Sequence, residues 1–390
     1  ILAAPITAGH VSQMLMGITD TLMIGRVGVV ELAAAALGHT LFNFVFIVGV
    51  GLMTSVSVMV SHAYGAGNKR EAGEMLRRGL SIAVVAGCRM FAILWASYPL
   101  IGILIQPIEV LEATKPYLWL LGASLPFVRS LICFRNYSEA QDAPWPAFWC
   151  GFISVLLNVF LNWVFIYGNL GAPRLELMGA GIATLLSRIF NLGILVFWLR
   201  IDSRFKESWP VRWLASIPLR SLGSMLKIGM PVSMQLLMEV GAFSSTTLFM
   251  GWLGIVEMAG HQIAITCAAT TFMFPLGISL AAAIRVGHVI GAGEADRARI
   301  VGFGSLGFTL LLTGVFTLIL IIYNQEIAFL FTSDQATGLM AASLIIVAGI
   351  FQLFDGAQVI AIGSLRGCKD VNVPTFVIFL SFWIVGIPLG

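Results

Sequence analysis

Apolar runs of about 20 residues follow one another along nearly the whole chain, each long enough to cross hydrocarbon as a helix. The pattern predicts eleven helices, over about 1–24, 32–60, 79–105, 114–140, 145–168, 177–200, 227–252, 257–284, 300–324, 338–365 and 372–390. The alternation with short turns that marks a β-barrel is absent. Polar positions gather in the connections, and their charge alternates. Lys69, Arg70, Arg77 and Arg78 fall in one loop, and Arg200, Arg204, Lys206, Arg212, Arg220 and Lys227 in and around another. Arg285, Arg297 and Arg299 follow, then Arg366 and Lys369. The opposite loops hold Arg26, Lys115 and Arg174. The excess of positive charge places the first set of loops in the cytoplasm, so the first helix starts inside.

Composition agrees with the pattern. Of 390 residues 58% are hydrophobic and 11% charged, with a mean hydropathy of +0.95. Soluble domains carry about 25% charged residues, so this chain cannot cover itself with a water-soluble surface. It reads as an all-α polytopic membrane protein. Net charge is only +3, and the basic residues sit in short loops rather than on one face, which excludes nucleic acid as a partner. The five cysteines (Cys88, Cys133, Cys150, Cys267, Cys368) form no CxxC pair and indicate neither a disulfide framework nor a zinc site. No Walker sequence, HExxH motif or Ser–His–Asp order is present, and no enzyme activity is expected. Ile1 and Gly390 both lie inside apolar segments, so both ends read as clipped.

Shifted by 226 residues, the sequence aligns with itself without a gap. Pro5 falls on Pro231, TLMIGRVGVVELA (21–33) on TLFMGWLGIVEMA (247–259), and HAYGAG (62–67) on HVIGAG (288–293). Between Pro5 and Ala72, 17 of 68 positions are identical. The chain therefore reads as two homologous bundles, residues 1–200 and 227–390, joined by a polar cytoplasmic linker at 201–226. Six helices separate equivalent positions, so both bundles point the same way through the membrane. Parallel repeats of this kind are a transporter arrangement. The GAG tripeptides follow apolar helices and precede basic turns, which makes them helix C-caps rather than phosphate loops. His261, beside Gln262, reads as a packing residue.

Three acidic residues stand inside apolar segments: Asp20, Glu239 and Asp355. A charge near the bilayer centre costs about 2.5–3.5 kcal/mol on insertion scales. Apart from Lys227 at the cytoplasmic start of the seventh, no basic residue lies in the predicted segments that carry them. The intramembrane arginines Arg89, Arg129, Arg135 and Arg188 all belong to the first half. Glu239 and Asp355 lie at one depth, roughly 15–17 Å from the cytoplasmic side at 1.5 Å per residue. Two carboxylates at one depth suit a shared sodium ion or a proton. Asp20 matches the depth of Asn158 and Asn162, which share one helix face at i, i+4 spacing, and the three form a second polar cluster. Across the repeat Glu239 falls on Gln13 and Asp20 on Thr246.

PITAGHVSQMLMGITDTLMIGR, KIGMPVSMQLLMEVGAF, AGHQIA, FDGAQVIAIGSLRGCKDVNVP and FWIVGIPLG together resemble the multidrug and toxic compound extrusion (MATE) family in its NorM-like branch, over essentially the whole chain. The resemblance implies twelve helices in two six-helix lobes facing a central cleft, with most of the twelfth helix and part of the first missing here. It implies secondary active efflux of organic cations and drugs in exchange for Na+ or H+, by alternating access of the two lobes. The protein is then expected in the bacterial inner membrane, in contact with lipid and as a monomer, with no cofactor beyond the coupling ion. Glu239 and Asp355 match the second-lobe carboxylates that bind the coupling cation, here a monovalent metal ion if sodium. Asp20, Asn158 and Asn162 match the first-lobe polar cluster for substrate or proton, and Gln13 and Gln262 are secondary candidates. Some NorM-like members carry a tyrosine four residues before the tenth-helix aspartate. Here that position is Phe351, a lost ligand hydroxyl that gives protons weight against sodium. Two alternatives are a flippase for lipids or lipid-linked precursors and a non-transporting membrane receptor. A flippase cleft for anionic headgroups calls for basic residues, which the second-half helices do not offer in sequence. A receptor calls for a soluble signalling domain, and none is visible.

Overall fold

The structure is a computed structural model that describes residues 2–97, 107–213 and 217–389. Among the described residues all regular structure is helical. In chain order the helices are α1 Ala3–Gly25, α2 Val29–Gly65, α3 Lys69–Ala96, α4 Ile108–Ala123, α5 Leu125–Glu139, α6 Trp145–Tyr167, α7 Glu176–Ile201, α8 Leu219–Leu253, α9 Ile255–Gly291, α10 Ala295–Ile322, α11 Asn324–Phe331, α12 Gln335–Gly367 and α13 Asn372–Ile378. The last continues as a π-helix over Phe379–Gly386. Among the described residues nine helical spans are long and apolar enough to cross a membrane, α4 and α5 together counting as one of them, and the chain is a multi-pass membrane protein. Its large apolar side chains point outward freely, with Ile255 89% and Leu330 83% exposed, as expected where lipid rather than water is the surrounding medium.

Helix stands in each of the eleven expected segments as far as they are described, with three differences. The span expected over 114–140 is two helices, α4 and α5, which meet at Ser124. Pro126 has no N–H to continue the backbone ladder across that point. A short helix, α11, fills what reads as a loop after residue 324. Several helices also outrun their apolar cores by one turn or more, because a polar turn costs nothing once it has left the hydrocarbon. The end of the third expected span, 98–105, lies outside the described residues.

Contacts group the chain into two units: Ala8–Ser233, and Ile1–Thr7 together with Met234–Gly390. The boundary falls within α8, two residues past Pro231, where the helix ladder lacks a donor. In the first unit a continuous core runs through α2, α3, α4 and α5, with Met53, Leu76, Tyr117 and Leu121 at 0% exposure. Part of the stretch read as a linker packs onto this unit. Phe205 is buried, Tyr137 Oη lies 3.0 Å from Ser208 O and 2.7 Å from Ser208 Oγ, and Ser208 Oγ donates to Gln141 Oε1 at 2.8 Å. The start of α8 joins it through Ser233 Oγ, which donates to Val48 O at 2.6 Å. In the second unit Leu2 and Ile6 of α1 pack against Ala281 and Ile284 of α9. Gly363 of α12 lets that helix approach Ser279 of α9, whose hydroxyl donates to Val359 O at 2.6 Å.

The internal repeat holds at the level of single turns. Gly28 and Gly254 start α2 and α9 in an extended conformation, and at each the space a Cβ would take is filled by the carboxylate of the glutamate three residues on, Glu31 or Glu257. The two GAG tripeptides close α2 and α9 alike. Gly67 and Gly293 take φ of +73° and +81°, and the amides of Ala66 and Ala292 return to His62 O and His288 O at 3.0 and 2.9 Å. This is the capping expected of them.

Candidate functional site

In the first unit α1 and α6 bring Asp20, Asn158 and Asn162 together. All three are buried, Asp20 to 3% and both asparagines to 0% exposure. Asn162 Nδ2 donates to Asp20 Oδ1 at 2.5 Å and reaches Asn158 Oδ1 at 3.2 Å. The i, i+4 spacing on α6 is what lets one amide serve both oxygens. Asn158 Nδ2 and Asn162 Oδ1 are buried without a hydrogen-bond partner, so the cluster retains one free donor and one free acceptor. Arg188 of α7 and Tyr117 of α4 stand within electrostatic range of Asp20. The Arg188 guanidinium stacks on Phe42 at 4.8 Å and donates to Ser124 Oγ, and Tyr117 Oη meets His39 Nε2 at 2.8 Å. Sequence reasoning missed Tyr117 and His39, which no local pattern connects to Asp20.

In the second unit α8 carries Glu239 and α12 carries Asp355. Their charges are close enough to interact. Phe243, one turn beyond Glu239, meets Phe351, one turn before Asp355, edge to face at 6.2 Å. Asp355 is 8% exposed and its Oδ1 is buried with no hydrogen-bond partner. Among the described residues neither carboxylate forms a salt bridge. Gln352, one turn before Asp355, donates Nε2 to Ala268 O at 2.6 Å and leaves its Oε1 buried and unpartnered. Trp383, in the π-helical stretch, donates Nε1 to Met238 O at 3.1 Å and closes the turn before Glu239.

One expectation needs correction. Arg366 is not a loop residue: α12 runs to Gly367, and Arg366 is buried in its last turn at 8% exposure, within electrostatic range of Glu239. The helix that carries Asp355 therefore does carry a basic residue. Hydropathy hid it, since the charge itself ends the apolar window. Gln13 on α1 and Gln262 on α9 are both exposed, and neither side chain bonds to a carboxylate of either cluster. Among the described residues no group of three or more His, Cys, Asp or Glu side chains could hold a metal ion. Two carboxylates with no third acidic, His or Cys side chain beside them suit a proton or a monovalent cation better than a multivalent metal.

The MatE family model matches residues 5–164 and 231–390, one match in each half of the repeat. The chain belongs to the MatE family. Among curated relatives of this MatE chain, the multidrug resistance protein NorM of Aliivibrio fischeri is 31% identical over 397 residues, covering 100% of this chain and 85% of the relative. The multidrug resistance protein MdtK of Yersinia pestis is 31% identical over 392 residues with the same coverage. Solved structures share the fold at lower identity. A Vibrio cholerae MATE transporter, VcmN in its bent form, superposes with a TM-score of 0.90 at 19% identity, covering 99% of this chain and 87% of the other. A eukaryotic MATE transporter gives 0.88 at 19% identity, covering 99% and 86%. The two-bundle fold of this MatE chain is that of the transporters, and the family is one of transporters rather than enzymes.

Proposed function

We propose that this protein is a secondary active exporter that expels organic cations and drugs in exchange for Na+ or H+, acting as a monomer in the bacterial inner membrane. The observation that carries the reading is the pair Glu239 and Asp355, set in membrane-spanning helices, with one Asp355 oxygen buried and unpartnered. A buried carboxylate oxygen without a donor is costly. Arrival of a proton or a monovalent cation removes that cost, and its departure restores it. A site with two such energies gives an ion a means to bias a conformational equilibrium, provided the ion binds the two states unequally. Efflux follows if the two halves expose their polar sites alternately to the two sides of the membrane and the loaded state binds drug less well. The Asp20–Asn158–Asn162 cluster, with one free donor and one free acceptor, serves substrate or proton in the other half. The multidrug resistance relatives support the choice of cargo.

The test is efflux of a fluorescent organic cation from reconstituted vesicles under separately imposed sodium and pH gradients. Wild type should respond to one of them. Glu239→Gln and Asp355→Asn should insert normally and lose at least about tenfold of the gradient-driven rate, the equivalent of about 1.4 kcal/mol in the barrier. Unchanged transport by Glu239→Gln would defeat the assignment, and dependence on a single gradient names the ion.

A further inference from the structure

Arg366 is buried without a carboxylate in ion-pairing distance among the described residues. Its Nη2 donates to Gln235 Oε1 at 2.8 Å, and its Nε has no partner. Gln235, at 0% exposure, is held in turn: its Nε2 donates to Val371 O at 3.0 Å and to Thr375 Oγ1 at 2.9 Å. A full positive charge is thus tied down by a neutral amide whose other end is anchored to the final helix. Glu239 lies four residues after Gln235, one turn and about 6 Å further along α8. Two pairings set the register of α8 on α12, Gln235 with Arg366 and Phe243 with Phe351. Glu239 is midway between them. Of the charged groups that act on Glu239 among the described residues, Asp355 and Arg366 are both on α12. The final helix brings Ile378, Phe382 and Trp383 to that turn, and the Trp383 Nε1–H donates to Met238 O.

We propose that Arg366 is a fixed internal cation that competes with the coupling ion for Glu239, held one turn short of it by Gln235. With the site empty, the guanidinium partly neutralises Glu239 and lowers the cost of the bare carboxylate. With an ion present it repels the ion. Both effects weaken binding and favour release, which a carrier needs at the end of each cycle. Arg366 is a positioning residue, since it acts through the field at Glu239 and not by touching the cargo. The inference rests on the coupling role proposed above for Glu239 and Asp355.

Ion affinity of the purified full chain tests it. Binding of radioactive sodium at fixed pH forms one arm, and tryptophan fluorescence against pH without sodium forms the other, with Trp383 beside Met238 as a local reporter. Arg366→Gln should tighten ion binding about tenfold, the scale expected for unit charges several ångströms apart in a partly polar interior. Arg366→Lys keeps the charge and should stay within about threefold of wild type. Gln235→Leu releases the guanidinium toward Glu239 and should weaken binding about threefold or more, an effect of opposite sign that carries the test should Arg366→Gln fail to assemble. Unchanged affinity in folded Arg366→Gln or Gln235→Leu would overturn the proposal, as would an equal tightening by Arg366→Gln in a Glu239→Gln background. A wild-type protein that binds neither ion, or a Glu239→Gln protein that binds as wild type does, sinks the coupling role itself and is distinguishable from either result.

Discussion

Asn162→Leu removes one side-chain amide at nearly constant volume and so isolates what that amide does. Its Nδ2 is the donor at Asp20 Oδ1 and also reaches Asn158 Oδ1, while Asp20 is 3% exposed. Two magnitudes compete. Hydrogen bonds between uncharged groups on neighbouring membrane helices average about 0.6 kcal/mol in double-mutant cycles, whereas a bond to a charged group contributes about 1.5–3 kcal/mol. With Arg188 in electrostatic range, Asp20 has a counter-charge, and the larger figure applies. Asp20→Asn supplies the second edge of the cycle, because it keeps the Oδ1 acceptor and removes the charge. Asn162→Leu should then cost about 2 kcal/mol in the wild-type background and about 0.6 kcal/mol beside Asp20→Asn. At about 2 °C per kcal/mol for a chain of this size, thermal midpoints read by fluorescence-detected size exclusion should fall by about 4 °C and about 1 °C. Additivity of the two substitutions within about 0.5 kcal/mol would refute the argument that a charged bond holds α1 to α6.

Gly51→Val should prevent assembly, because a Cβ there runs into the backbone of Ser233, which cannot swing aside, at a cost at or above the 1–3 kcal/mol of ordinary overpacking; Gly17→Ala, with nothing within 4 Å, should leave the elution profile unchanged. Arg135 and Glu139 form a pair at 2.6 Å with side chains 14% and 6% exposed. Glu139→Ala should therefore cost about 3–5 kcal/mol of stability, and replacing both by Met should recover most of it, as read by urea or thermal titration. Beyond the end of α7, the guanidinium of Arg204 bonds Asp202 at 2.6 and 3.1 Å and holds its carboxyl below the usual carboxylate range. A depressed folded value means the contribution is present above the unfolded pKa of about 3.9 and is lost as pH falls through the lower folded one. Arg204→Gln should thus lower the thermal midpoint slightly at pH 7, by the equivalent of about 0.5 kcal/mol, with the difference vanishing under strong acid; a difference that persists there would count against the pair.

Most of the architecture was legible because lipid imposes one pattern on every span: an apolar run of fixed length with polar ends. The repeat could be read for a related reason, since the glycines and glutamates at Gly28, Glu31, Gly254 and Glu257 answer a local backbone need and keep their spacing. What escaped notice depends on distance in space. Nothing local predicts that Tyr117 and His39 meet beside Asp20, or that Ser208 fastens the 201–213 stretch to Tyr137 and Gln141. Arg366 escaped for the opposite reason. Its charge marks the end of a hydropathy window, and only the structure shows that the helix continues past it and that Gln235 satisfies it from α8. Depth groups Asp20 with Asn158 and Asn162, and the contacts of Asn162 Nδ2 with the oxygens of the other two bring the three side chains together.

The two halves keep their turns and differ in their charges, and the difference has a direction. Around Asp20 the first half supplies a donor, Asn162, and a cation, Arg188. That carboxylate is furnished by the protein itself. Around Asp355 the second half supplies no hydrogen-bond donor to Oδ1 and offers the orphaned oxygen of Gln352 nearby. The cation within range of Glu239, Arg366, is held by the Gln235 amide one turn away on α8. A carboxylate already bonded and counter-charged gains little from an incoming cation, while one left bare gains a great deal. If both halves descend from one bundle, the ion-loading role proposed above falls to the half that carries Glu239 at the position matching Gln13 and Thr246 at the position matching Asp20. Gln13→Glu, with no Asp355 equivalent beside it, should not create a second coupling site, and ion stoichiometry measured by flux should stay that of wild type. A doubled stoichiometry would show that a bare carboxylate suffices and that its partner is dispensable.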